Sequence, residues 1–338
     1  SQGFLKDLSV CWGRFVDPEG ATALMNAWHL DGIDNQYQFF KKHVQPRLNL
    51  GENRKVFVII SDALRYEVAE ELMRELNGKY RYEAQLSSML GVLPSYTSLG
   101  MASLLPHQEL AFNDKADVLV DSRPTGSTQQ RQAILEKVGG MVCKADELLE
   151  MKKTEARDHV EGARVIYIYH NTIDHVGESK EGQTFAAVRQ AIGELSDLVR
   201  HLINNFNANY LLVTADHGFL FTESAPEETE KSPIKHAPEG AIKTKQRYVL
   251  GRQLGKQGAA WHGSTGITAG TKDGMEFWVP NGINRFHFMG SRQFIHGGAM
   301  LQEVAVPLIT IKHRKGDKAR SATQVKQVSV QVLGTNHM

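Results

Sequence analysis

Val56–Glu67, read VFVIISDALRYE, limits the possible folds of this chain more than any other stretch. Val56 to Ile60 are apolar without interruption, most of them β-branched, and they follow a polar turn, Gly51-Glu52-Asn53. A strand that is apolar at every position is covered on both faces, as in a parallel sheet. The run stops at Ser61-Asp62, and Leu64, Val68, Leu72 and Leu76 then recur as one helical stripe. A buried strand followed directly by a helix predicts an α/β domain with Asp62 at the carboxyl end of a central strand. Ligands and catalytic groups of open α/β sheets gather there. A lone Asp in that position serves equally well as a helix cap.

The same junction recurs. Ala163–His170 is a second buried-type strand, and it runs into Asn171-Thr172-Ile173-Asp174-His175-Val176-Gly177-Glu178. His170, Asp174, His175 and Glu178 thus crowd one strand end, and oxygen and imidazole donors together suit zinc and manganese. Phe185, Val188, Ile192, Leu195, Leu198, Val199 and Leu202 form the core stripe of the helix that follows. Asn209–Ala215 is a further strand, ending in Asp216-His217-Gly218, where a carboxylate and an imidazole share one short turn and the glycine permits close backbone approach. Between these strands lie a short strand over Tyr80–Ser87 and the segment from Leu93 to Ala102, in which Pro94 delays a helix until about Thr97. Ser95, Thr97 and Ser98 offer hydroxyls that could cap this helix or act as a nucleophile, and residue type alone leaves the choice open. Near the end, His296 is followed by Gly297-Gly298 and then by a last strand over Val306–Ile311.

The remaining segments carry less chemistry. Residues 1–50 read as a helical lead-in with Trp12, Phe15 and Trp28 as packing anchors, and with Tyr37, Phe39, Phe40, Val44 and Leu48 as an apolar face broken at Pro46. Residues 107–162 are polar and read as mostly helical. Residues 222–247, rich in Glu and Pro, read as a mobile loop or lid, and Lys243-Thr244-Lys245-Gln246-Arg247 as a basic run that is either a solvated face or a phosphate contact. Met275–Pro280 and Arg285–Met289 pair as a hairpin around Asn281-Gly282 in this reading. The chain divides into a lead-in over 1–50, an α/β domain over 51–312 and an extension over 313–338, where Val325–Leu333 alternates like an edge strand of a further module. The opening Ser1-Gln2-Gly3 suggests a piece of a longer protein.

Bulk properties exclude some classes. The formal net charge of +1 supplies no global field, so any nucleic-acid contact is local. Cys11 and Cys143 make no metal-type spacing and no disulfide framework, which fits a reducing, cytoplasmic setting. No apolar run reaches the length of a membrane span, so no membrane partner is expected.

The segments VIISDALRYE, LPSYTSLGMASLLPH, YHNTIDHVGE, TADHGF and FIHGGAMLQEVAVP, in that order, resemble the alkaline phosphatase superfamily, in particular its nucleotide pyrophosphatase/phosphodiesterase branch, and more closely the PglZ family of BREX phage-defence systems. The resemblance implies an α/β/α sandwich with a mostly parallel central sheet and a site with two divalent metals, usually zinc, with manganese possible. It implies that Asp62, Asp216 and His217 hold one metal and that Thr97, at the end of a Pro-x-x-Thr segment, is the nucleophile. It likewise implies that Asp174 and His296 hold the other metal, with a partner four residues after Asp174. That partner is usually the His of an Asp-x-x-Gly-His pattern; here Gly177 is followed by Glu178, and His170 or His175 are substitutes for the missing nitrogen. The implied activity is that of a metal-dependent phosphodiesterase or nuclease, acting on a phosphodiester, DNA among the candidates, alongside other BREX components. No Arg stands near Thr97 in the sequence to grip an extra phosphate oxygen, which favours diesters over monoesters. The rival reading is a scaffold that keeps a structural metal without turnover.

Overall fold

The computed structural model describes residues 2–79, 82–222, 236–286 and 292–313, together with Ser232 and Ile234. Its centre is a seven-stranded sheet of β1 (Asp34–Asn35), β2 (Val56–Ser61), β3 (Tyr82–Leu90), β4 (Gly140–Lys144), β5 (Val165–His170), β6 (Tyr210–Thr214) and β7 (Ala305–His313), in the spatial order β1-β3-β7-β6-β2-β5-β4. β2 pairs in parallel with both β5 and β6, and β4 pairs in parallel with β5. β7 alone runs against its neighbours, β3 and β6. Every residue of β2 is buried, so both faces of the sheet are covered, which is why this strand carries no polar alternation.

Two long helices, Tyr66–Lys79 and Thr184–Asn205, pack against one another beside the sheet with Leu72, Leu76, Leu195 and Leu202 fully buried. The shorter helix Thr97–Ser103 is fastened to the sheet where Tyr167, from within β5, donates its hydroxyl to the Leu104 carbonyl at 2.5 Å. The strand over Tyr82–Leu90 extends further than the Tyr80–Ser87 expected from alternation.

Three readings need correction. The lead-in is not purely helical: Asp34–Asn35 adds the edge of the main sheet through β3, and Pro46 does not break the helical run, which passes from a π-helical turn over Phe40–Val44 straight into Gln45–Leu48. The polar stretch 107–162 contains β4 and a small three-stranded sheet, Leu110–Phe112, Val118–Val120 and Arg123–Pro124. Glu276–Pro280 pairs with Val249–Gly251 and Ala260–Ser264 in a four-stranded side sheet, so its partners precede it in the chain. Most of the expected second arm, residues 287–289, lies outside the described residues, as do much of the charged insertion and Val325–Leu333.

Candidate metal centre

The carboxyl ends of β6, β2 and β5 lie side by side, and each delivers acids to one crevice. Asp62 follows β2, Asp216 and His217 follow β6, and Asp174 stands in the helix Thr172–Ser179 after β5. The chain visits β5 and β6 on opposite sides of β2, so this crevice is the switch point where open α/β sheets bind ligands. His296 arrives differently. The short pair Leu220–Phe221 and Phe294–Ile295 runs antiparallel with Leu220 opposite Ile295, which carries His296 alongside His217. Ser95 bridges to Gly297 and its hydroxyl donates to the Gly298 carbonyl at 2.6 Å, joining the Thr97 segment to the same loop. That commitment takes Ser95 out of the choice of free hydroxyls.

The acids and imidazoles fall into two groups of three. Asp62, Asp216 and His217 each offer one ligand atom within 4.8 Å of the others, and so do Asp174, Glu178 and His296. In the first group His217 Nε2 lies 3.2 Å from Asp216 Oδ2 and 3.8 Å from Asp62 Oδ1, all three side chains buried. His217 Nδ1 donates to the Gly218 carbonyl at 2.9 Å, which fixes the tautomer. Nε2 therefore presents a lone pair to the two carboxylates and accepts from the Thr97 hydroxyl at 3.0 Å. In the second group Asp174 and Glu178 share one helix face at four-residue spacing, and His296 Nε2 is 4.0 Å from Asp174 Oδ1. The two groups adjoin through the rings of His217 and His296, stacked at 4.0 Å with 7° between their planes.

Electrostatics favour a cation in both groups. Asp62 Oδ1, Asp216 Oδ2, Asp174 Oδ1 and His296 Nδ1 are buried without a hydrogen-bond partner among the described residues, and leaving such atoms unpaired is costly. Burial pushes Asp174 and Asp216 up to about 7 and Asp62 well above the usual carboxylate range, with Asp216 and Asp174 adding repulsion at Asp62. Burial also lowers His217 to about 4 and His296 to about 3, keeping both imidazoles neutral and able to ligate. A bound divalent cation reverses the penalty on the acids, and a carboxylate and imidazole donor set fits zinc or manganese.

Two glycines set the spacing. A Cβ on Gly100 would overlap the Asp216 carbonyl, so only glycine lets the Thr97 helix press onto the end of β6. A Cβ on Gly177 would stand 2.5 Å from the Phe294 ring, so the helix bearing Asp174 and Glu178 meets the His296 segment at a glycine.

Other expectations at the site turn out differently. His170 is no substitute ligand: Nδ1 accepts from Ser61 Oγ at 2.9 Å and Nε2 donates to Glu194 at 2.8 Å, so both ring nitrogens are engaged beneath the site. The hydrogen bond from His170 holds Glu194 down at about 2. His175 is exposed and belongs to neither group, so Glu178 is the third member of the second one. The basic run is not one surface. Arg247 is fully buried against Glu303, with Nε to Oε1 at 3.0 Å and Nη2 to Oε2 at 2.5 Å, while Lys243 pairs with Asp117 at 3.1 Å. Glu303 also accepts from Gly298 N at 2.9 Å and Met300 N at 3.0 Å, and its carbonyl accepts from Gly218 N at 3.0 Å, so one residue steadies both histidine loops. Finally, an arginine does reach the site. Arg292 and Lys245 line a cleft of about 340 Å³ together with Thr97, Asp174, Glu178 and His296. The signal for Arg292 was its place four residues before His296.

The family profile described as the BREX system PglZ alkaline phosphatase-like domain matches residues 39–311. Over 334 residues the chain is 43% identical to the alkaline phosphatase-like protein BrxZ of Escherichia coli O9:H4 (strain HS), covering 98% of this chain and 38% of that protein. It is 35% identical over 334 residues to the alkaline phosphatase-like protein PglZ of Bacillus cereus (strain H3081.97), covering 97% of this chain and again 38% of the relative. The chain thus spans less than two fifths of the length of these relatives. Murine ectonucleotide pyrophosphatase/phosphodiesterase 5 superposes with a TM-score of 0.51 at 10% identity, covering 77% of this chain and 88% of that one, a likeness of fold.

Proposed function

This chain belongs to the PglZ alkaline phosphatase-like family of BREX systems, and we propose that it is a metal-dependent phosphodiesterase with Thr97 as nucleophile. One observation carries this reading: the Thr97 hydroxyl lies 3.0 Å from His217 Nε2, beside two groups of acids and imidazoles whose buried oxygens lack other partners. Asp62, Asp216 and His217 would hold one divalent ion, and Asp174, Glu178 and His296 a second. Such ions supply Lewis acidity that activates a hydroxyl and offsets phosphoryl charge. The Thr97 oxygen gives up its proton to solvent and attacks phosphorus in line, the bond to the leaving oxygen breaks as that oxygen takes up a proton from solvent, and a phosphothreonine ester forms. Water then hydrolyses that ester and returns the hydroxyl. The Gly218 carbonyl keeps the His217 proton on Nδ1 and so orients the ring with its Nε2 lone pair toward Asp62, Asp216 and Thr97.

The substrate in this reading is a phosphodiester, DNA among the candidates, and the setting is the cytoplasm alongside other BREX components. No helix among the described residues is long and apolar enough to cross a membrane. Glu178 adds negative charge where an imidazole is usual in the superfamily, which favours a singly charged diester. Arg292 in the same cleft works against that preference, so it is weaker than the sequence alone suggested. Glu178 also supports a second reading, a scaffold with a structural metal and no turnover.

The test is metal analysis of the purified protein together with hydrolysis of bis(p-nitrophenyl) phosphate by wild type and Thr97→Ala. Metal-dependent turnover that Thr97→Ala abolishes, with unchanged thermal unfolding, is expected. A loaded protein without turnover supports the scaffold. Turnover that survives in Thr97→Ala rules out this nucleophile.

A further inference from the structure

Two cations in the cleft have no part in holding a metal. Lys245 sits at the tip of the hairpin Ala241–Thr244 and Val249–Gly251, where its N–H donates to the Tyr248 carbonyl at 2.8 Å and closes a tight turn. Among the described residues no carboxylate pairs with its ammonium group. Arg292 approaches from the His296 segment. Among the described residues its ion-pair partner is Glu178 at 3.8 Å, beyond hydrogen-bond reach, with both side chains more than half exposed at 56% and 51%. A pair of that kind is weak and leaves the guanidinium available to another anion.

Two divalent ions would be offset by the four carboxylates that would hold them, Asp62, Asp216, Asp174 and Glu178, and the reacting phosphate of a diester carries a single negative charge, fewer than the two positive charges of Lys245 and Arg292. The further positive charge of Lys245 and Arg292 therefore matches a further anion. A cleft of about 340 Å³ is the size of a small-molecule site, able to take a nucleotide-sized group. Resting on the phosphodiesterase reading, we infer that Lys245 and Arg292 grip a second phosphate adjoining the scissile one, so that the preferred substrates are phosphodiesters with a neighbouring phosphate, as in a nucleic-acid strand. Arg292 supplies a planar fork for two phosphate oxygens and Lys245 a point charge.

The test compares binding of the thymidine dinucleotide TpT with that of its 5′-phosphorylated form, pTpT, by calorimetry on zinc-loaded Thr97→Ala protein. The expected result is that pTpT binds roughly tenfold tighter than TpT, a difference typical of charge-assisted contacts. Adding Lys245→Ala and Arg292→Ala should abolish the difference by weakening pTpT far more than TpT. Arg292→Lys should restore part of it, and added salt should shrink it. Equal binding of the two ligands, or a preference that survives the double substitution, overturns the inference. Cleavage of TpT by the wild-type enzyme is scored separately. Cleavage without a pTpT preference overturns the grip alone. A preference without cleavage supports the grip and overturns the catalytic reading.

Discussion

Acids and imidazoles at the site are shifted in opposite senses, and this makes the metal-free protein sensitive to pH. Asp174 and Asp216, raised to about 7, hold protons that the unfolded chain releases near 3.9, so they take stability away as pH rises through 7. His217 and His296, lowered to about 4 and about 3, act the other way and take stability away as pH falls below 6.5. The two effects oppose one another from about 4 to 6.5, and from about 6.5 to just past 7 only the acids still titrate. Chelator-treated protein should therefore lose denaturant stability as pH rises from about 6.5 through 7 and level off above that, and zinc should remove that loss. Flat stability across this interval would mean the acids are ionised without a cation. At Glu178 the expected change is in selectivity. Glu178→His substitutes a softer donor in the second group and removes a negative charge, which should move metal preference from manganese toward zinc and raise monoester turnover relative to diester. Rates on both substrates across zinc and manganese titrations measure this, and unchanged ratios would make Glu178 a helix residue only.

Elements were legible where burial is continuous and opaque where it is local. β2, β5 and β6 were marked to within about two residues by unbroken apolar runs, and the acids at their ends stood out because carboxylates directly after such runs need a reason. β4, with the sequence Gly140-Met141-Val142-Cys143-Lys144, is too short to display a period, and the side-sheet strands Ala241–Thr244 and Val249–Gly251 are shorter still. Arg247 was misread for another reason. Its burial depends on Glu303, a partner 56 residues away, and nothing in its own neighbourhood signals that. The same separation hid Arg292 from an inspection of the sequence around Thr97. The Arg247–Glu303 pair yields a prediction at this scale. Glu303→Ala strands a fully buried guanidinium and frees two loops, at a cost of roughly 3–5 kcal/mol. Denaturant unfolding should register that loss, and metal affinity should fall with it because His217 and His296 lose their support. Arg247→Met with Glu303→Leu should cost less than the single change, since no charge is left unpaired. Equal losses would mean that the loops, and not the charge, dominate.

For the molecule as a whole, metal should act as a folding ligand. An ion at a hundredfold its dissociation constant adds about 2.7 kcal/mol to the folded state if the unfolded chain binds none. Zinc should raise the unfolding temperature by several degrees and EDTA should lower it; insensitivity to both would count against a cation in either group. The reversed strand β7 has a different consequence. The chain enters it at Ala305 beside the cleft and, eight residues later, leaves it at His313, level with Tyr82. At about 3.3 Å per residue that is a traverse of roughly 26 Å, to the opposite pole of the sheet. His313, the last described residue, therefore stands at the pole of the sheet opposite the carboxyl ends that carry Asp62, Asp216 and the Asp174 helix, so the strand that closes the sheet carries the chain away from the cleft.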